Sequence, residues 1–364
     1  HPGQGRDARQ QISLLPSGIR IASSLILLLG EQADTHKVSA FFMCRHKKAH
    51  DRSGPAGKNG GSFRLRPQAM NAASLARLLL LAAIWGASFL FLRLTVPAFG
   101  TVWTVEVRVI LAAASLTLFA WWSGEALQWR RHWRQYLIIG LCNSALPFLL
   151  FAYAAQSLGA GLLSILNSTS PLFAVIIGAL WLRQPIRAVT MAGLLLGLGG
   201  VAVLAWDGLQ SSGSPDAWLP MLAAALAPSA YAFASVYSRH HGQGITPLAT
   251  TQGSMICAAL LVLPLAAPQG LPSAATPTAW GALLGLAVLC TAWAYQLYFR
   301  LVHEVGPLGA LSVTFLIPVF GVLWGVLLLG EKLGGHLLLG GTLVLLGTAL
   351  ANGLLKWPRL ARPA

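Results

Sequence analysis

The sequence predicts an all-α polytopic membrane protein: ten transmembrane helices in two inverted five-helix repeats. Three observations predict it. Only 10% of the 364 residues are charged, 55% are hydrophobic, and the mean hydropathy is +0.65. A soluble domain carries about 25% charged residues, so this chain has too few to cover a water-facing surface. Apolar segments of spanning length recur along most of the chain. One register relates its first half to its second.

Residues 1–69 differ in character from the rest of the chain. They hold eleven of the 25 Lys and Arg beside four acids, and begin with His1. Their one sizeable apolar run, Ile21 to Gly30, is too short for a bilayer, which takes roughly 20 residues. Met70 comes just ahead of the first apolar segment. The segment therefore reads either as a leader upstream of a start at Met70, or as a disordered basic tail on the membrane surface.

Ten apolar segments come after it: Leu75–Leu94, Thr101–Trp122, Tyr136–Ser157, Ala160–Leu182, Val189–Trp206, Ala217–Ser238, Thr246–Ala267, Thr278–Val302, Pro307–Leu329 and Gly335–Leu355. At about 20 residues per span they leave no room for a soluble domain. The longest polar break, Trp206 to Trp218, divides them five and five. The domains are then residues 70–207 and 217–355, with a short basic tail at 356–364.

Charge orients the stack, because Lys and Arg accumulate on the cytoplasmic side. With the first helix starting inside, eleven basic residues fall toward the inside and only Arg93 and Lys332 toward the outside. Both termini are therefore expected in the cytoplasm, with the protein in the cell (inner) membrane. The same distribution accounts for the net charge of +15 without nucleic acid.

The halves repeat at an offset of 147: Gly159 meets Gly306, Pro171 meets Pro318, Gly178 meets Gly325, Gly193 meets Gly340 and Gly200 meets Gly347. Upstream, Trp85 and Arg93 meet Tyr231 and Arg239 at 146. Five helices per half place the second copy upside down, an inverted-repeat arrangement.

The stretches "AAIWGASFLFLR", "VRVILAAASLTLF", "FAYAAQSLGAGLLSILNSTSPLFAVIIGALWLRQPI" and "GPLGALSVTFLIPVFGVLWGVLLLGEKL" resemble the two EamA-type repeats of the drug/metabolite transporter superfamily. The resemblance implies a permease or exporter of small metabolites, amino acids or drugs. Its cavity would lie between the repeats, lined chiefly by helices one, three and four of each half. The family closes the fourth helix of its repeat with a glycine-glutamate pair. Here the second copy has Gly330-Glu331 and the first has Arg183-Gln184. Glu331 is expected to cap the next helix in the chain.

The site expectations come from mid-span chemistry. Pro147, Pro171 and Pro318 break helices and free the carbonyls of Asn143, Asn167 and Thr314, four residues earlier. Such irregular backbone at mid-depth is tolerated around cavities. Ser164 shares a helical face with Asn167. Trp85, Tyr231, Trp293 and Tyr295 are mid-span aromatics, either core packing or the wall of a ligand site. These residues and carbonyls are the expected substrate contacts. Glu106 and Arg108 are charges within a span and stand with Glu331 as structural or coupling groups. No catalytic residue, metal site or cofactor motif is read, and no nucleic-acid partner. The expected partners are a small-molecule substrate and the bilayer, and GxxxG spacings permit close packing within the chain or in a homodimer. A secondary transporter working by alternating access is the function. A membrane-embedded enzyme or lipid-handling protein is the alternative; it would need a cluster of intramembrane acids, nucleophiles or ligands.

Overall fold

In a computed structural model of the protein, residues 71–212, 218–270 and 275–354 are described. The segments 1–69 and 356–364, a leader or tail at one end and a basic tail at the other, lie outside the described residues. All secondary structure among the described residues is helical.

The helices are α1 (Ala72–Trp122), α2 (Trp129–Ala154), α3 (Ala160–Leu182), α4 (Ala188–Ser212), α5 (Trp218–His241), α6 (Pro247–Gln269), α7 (Pro277–Gly306), α8 (Gly309–Leu329) and α9 (Gly335–Ala351). The first eight are long and apolar enough to cross a membrane, and α9 is a shorter apolar helix. α1 has 51 residues. A straight rod of that length would reach about 75 Å at 1.5 Å per residue, far beyond a core of about 30 Å. Gly100 resolves this with φ 72° and ψ 170°, a conformation that a side chain would strain. The helix runs through Pro97 and turns at the glycine, later than the end expected at Leu94. α7 meets α8 through a second such turn at Gly306, with φ 77° and ψ 168°. α4 continues through Asp207 to Ser212, where the sequence reads a polar break from Trp206. Proline first occurs there at Pro215, so nothing stops the helix sooner.

Two helices open into π-helical turns, α2 at Leu141–Ala145 and α7 at Gly285–Trp293. The three prolines act differently. Pro147 follows the π turn of α2. In α3 the rod breaks at Ser168 and Thr169, and Pro171 opens the next stretch. Ser170 Oγ donates to the Asn167 carbonyl at 2.9 Å, so the group that Pro171 frees is satisfied locally. Pro318 sits inside a continuous helix.

One main core runs from Leu78 in α1 to Val344 in α9. Close crossings are built on glycine. A Cβ on Gly86 would lie 2.8 Å from that of Phe320, which brings α1 onto α8. α4 and α9 pack through glycines, four of which are repeat partners. A Cβ on Gly193 would lie 2.7 Å from the Gly347 carbonyl oxygen, and one on Gly200 would lie 2.7 Å from that of Gly340. The glycines therefore meet crosswise: Gly193 touches the repeat partner of Gly200, and Gly340 touches Gly200 itself.

Candidate functional site

The convergence of α1, α2, α5 and α7 gathers polar and aromatic side chains inside the bundle. Arg108, on the second arm of α1, is only 6% exposed. Its Nε donates to Thr291 Oγ1 at 3.1 Å, and its guanidinium carbon lies 3.5 Å from the centre of the Phe148 ring. Thr291 Oγ1 in turn donates to the Leu286 carbonyl at 2.9 Å, within the π turn of α7. Tyr231, Cys290 and Tyr295 are within electrostatic reach of the guanidinium. Asn143, from the π turn of α2, donates through Nδ2 to Tyr295 Oη at 3.0 Å. Trp85 closes the group: its ring is 6.3 Å from that of Tyr295 and 5.5 Å from that of Tyr298. Phe151 stacks on Tyr231 at 6.3 Å.

Both π turns supply a polar member, Asn143 and Thr291. A π turn adds one residue to the helical circuit and re-aims its side chains, which is why such turns recur at functional sites. Trp85, Asn143, Tyr231, Tyr295 and Tyr298 each keep part of their surface uncovered. Trp85, Tyr231, Tyr295 and Tyr298 also pack on the main core. Together these residues form a partly open cluster with an apolar aromatic wall, an amide and a cation.

Of the residues expected from the sequence, the structure brings together Trp85, Arg108, Asn143, Tyr231 and Tyr295. Others lie apart from that contact set. Ser164 is fully buried at the crossing of α3 and α8, where it fills the space left by Gly321 and donates to the Gly161 carbonyl at 2.7 Å. Thr314 Oγ1 donates to the Leu311 carbonyl at 2.7 Å on its own helix. Asn167 is half-buried beside the break in α3. Trp293 ends the π turn of α7 and is exposed. Phe148 and Thr291 join the site unannounced by the sequence, since an aromatic and a threonine in an apolar span look like packing.

The charges part company. Glu106 is fully buried, and neither carboxylate oxygen has a hydrogen-bond partner among the described residues. It does not pair with Arg108, two residues away on a different face. Glu331 caps a different helix from the one expected. Its carboxylate accepts from the Ala160 amide at 2.6 Å and the Gly161 amide at 3.1 Å, the free donors at the start of α3. The next helix in the chain, α9, begins at Gly334 without a side-chain cap. Gly330 turns the chain with φ 66°, and the Glu331 amide donates back to the Gly325 carbonyl at 3.0 Å, which aims the carboxylate across the interface.

A second acid, singled out by no sequence motif, does the same near the other end. Glu304 near the end of α7 accepts from Ser74 Oγ at 2.9 Å and from Arg77 at 2.8 and 2.9 Å, both at the start of α1, and from Arg300 at 3.1 Å.

The sequence profile of the EamA-like transporter family matches residues 73–206 and, again, residues 218–353. Protein PecM of Dickeya dadantii is 26% identical over 263 residues, covering 71% of this chain and 84% of its own. A protein of Streptantibioticus cattleyicolor named "Probable terminal-alkyne amino-acid exporter" is 24% identical over 278 residues, covering 76% of this chain and 92% of its own. The "Uncharacterized inner membrane transporter YedA" of Escherichia coli K12 is 28% identical over 256 residues, covering 69% of this chain and 81% of its own. A solved crystal structure with 19% identity superposes with a TM-score of 0.56 over 78% of this chain and 98% of that one, a likeness of fold.

Proposed function

The chain belongs to the EamA-like transporter family and is a multi-pass membrane permease, and from that premise we propose how it is arranged and what it carries. The arrangement is ten spans in two inverted halves of five, residues 70–207 and 217–355. The turn at Gly100 supports two crossings within α1. The crosswise glycines of α4 and α9 support the inversion. When Gly193 touches the partner of Gly200 and the partner of Gly193 touches Gly200, the contact is self-complementary, as a two-fold axis requires. The two halves supply that axis without a second chain. Both termini face the cytoplasm, on the distribution of Lys and Arg, and the membrane is the inner one, as in the name of the YedA relative.

The cargo is a small metabolite or amino-acid-like compound, moved outward by alternating access. Two relatives support this: both are transporters by name, and one is named an amino-acid exporter. The observation that carries the site is the convergence of Trp85, Arg108, Asn143, Tyr231, Thr291 and Tyr295 from both halves into one cluster, which we read as the wall of a recess that takes the substrate. Asn167, Ser164 and Thr314 extend the proposed pathway along the broken helix α3 and the start of α8.

Reconstitution into liposomes with a panel of labelled metabolites, with and without a pH gradient, tests the reading. Asn143→Leu removes the hydrogen bond to Tyr295, a contact of about 1 kcal/mol, and should lower apparent affinity several-fold while the protein still inserts. In a background without native cysteines, thiols placed at 143, 167 and 314 should react with a small permeant reagent and be protected by substrate. Full reactivity at 143 in the presence of saturating substrate would put the pathway elsewhere.

A further inference from the structure

We propose that the guanidinium of Arg108 receives the single negative charge of the transported molecule, which makes the protein a carrier of organic monoanions with an aromatic or apolar body. This rests on the recess being the transport site, and it names the class of molecule that the site takes.

The argument is an accounting of charge. Arg108 lies inside a span and stays protonated in any surroundings that a protein offers. Burial takes its water away, so something must replace that water. Nε has Thr291, and one face of the plane has the Phe148 ring. Neither carries a negative charge. The two terminal nitrogens donate to no group among the described residues, and they are not among the buried atoms left without a partner, so they keep open surface. They form the flat fork that binds a carboxylate through two parallel bonds.

Among the described residues, no acid answers the fork. Glu304 is spent on Arg77, Arg300 and Ser74, and Glu331 on two backbone amides. Glu125 accepts from the Thr246 hydroxyl. Glu106 has no hydrogen-bond partner among the described residues and, two residues away, lies on another face of α1. A cationic cargo would meet an uncompensated cation, and a dianion would leave one charge unmet. A monoanion matches the single fork. The rest of the recess specifies the body: Trp85, Phe148, Tyr231 and Tyr295 offer ring faces and edges, and the Asn143 amide donates to the Tyr295 hydroxyl. At the equivalent position, 146 residues on, the second half has Ser254, and its Arg239 comes within electrostatic reach of Tyr298 beside the group.

The test uses one body with three charges: N-acetyl-L-phenylalanine, L-phenylalanine and L-phenylalaninamide. At about pH 6 these are an anion, a zwitterion and a cation. Each is titrated against the purified full chain, and the unfolding midpoint is read, since a ligand of the native state raises it. The anion should raise it by several degrees and the other two by less than half as much. Arg108→Gln should erase the anion's advantage, and Arg108→Lys should keep a weaker one. If the Gln variant does not fold, the three wild-type titrations and the Lys variant decide the matter. An equal or larger shift from the cation or zwitterion overturns the proposal, as does no shift from any of the three. A larger shift from the cation that Asn143→Leu and Tyr295→Phe both abolish would keep the recess and discard the anion. A shift that neither variant changes would discard the recess itself.

Discussion

At Glu106 the chain buries a carboxyl group with no hydrogen bond to either oxygen among the described residues. A typical hydrogen bond is worth about 1 kcal/mol net, so a group that makes none loses nothing when its hydrogen-bonding capacity is changed. Glu106→Gln keeps the shape and removes the charge. It should insert normally, with an unfolding midpoint equal to or above that of the parent, and it should retain substrate counterflow in liposomes. A destabilisation above about 1 kcal/mol would mean that the acid has a partner after all. Loss of pH-driven uptake with counterflow intact would make it the coupling group. The sequence marks Glu106 and Arg108 alike, as charges within a span, and their opposite fates were not legible there. Their fates depend on which neighbouring helices face each side chain, and periodicity in an apolar span gives no inside and no outside. Trp85, Asn143, Tyr231 and Tyr295 were legible for a simpler reason: polar or aromatic groups at mid-depth have few uses other than packing or a site. Leu195 is the opposite case, an apolar side chain 65% exposed on the outer face of α4, suited as a neutral control.

Among the elements, the turns that end α3 and α8 are copies of one another, and their difference explains an oddity of the repeat. Arg183 and Gly330 both take left-handed backbone, and the next amide in each donates to a glycine carbonyl, Gln184 to Gly178 and Glu331 to Gly325. Glu331 reaches the amides of Ala160 and Gly161. Gln184 stands where the acid would be, and the residue 147 on from Ala160 is Pro307, which has no amide to donate. An acid at 184 would have lost half of its purpose. Two consequences can be measured as unfolding midpoints. Glu331→Ala strands two amides at the start of α3 and should cost about 1–3 kcal/mol. Gln184→Glu should gain almost nothing, because the mirrored helix start offers one donor fewer. A gain from Gln184→Glu equal in size to the loss from Glu331→Ala would refute the account. That the chain is built of apolar helices was legible from hydropathy, as was a break between Leu94 and Thr101. The π turns of α2 and α7 were not, since they arise when neighbouring helices re-aim a rod that would otherwise wind regularly. The cap on α3 was hidden for a related reason: its donor and acceptor are 170 residues apart.

Over the whole molecule, the two acids that bridge the halves work near opposite ends of the bundle. Glu331, in the second half, holds the start of α3 in the first, and Glu304, in the second half, holds the start of α1 in the first. In the orientation proposed from the distribution of Lys and Arg, Glu331 would lie outside and Glu304 inside. The crossing of α4 and α9 joins the same halves through glycine backbones. A methyl on any of the four glycines would lie 2.7 to 3.0 Å from a facing carbonyl oxygen, a packing that tolerates little sliding. If access alternates, the moving contacts must be those that side chains can break and remake, and the two acid bridges are of that kind. Cysteine pairs test this in a background without the native cysteines. Gly159→Cys with Glu331→Cys locks the outer bridge, since a Cβ at 159 would lie 2.9 Å from the Glu331 carboxyl carbon. Ser74→Cys with Glu304→Cys locks the inner one, where the two side chains now touch at 2.9 Å. A short, reducible bifunctional reagent on either pair should stop counterflow, and reduction should restore it. The two locks should also differ. With the outer pair joined, a thiol at 143 should react with an impermeant reagent supplied from the cytoplasmic face alone; with the inner pair joined, only from the other face. Counterflow that persists with both pairs joined would show that the halves need not part at these bridges, and the recess would then have to fill and empty by some route that leaves both ends closed.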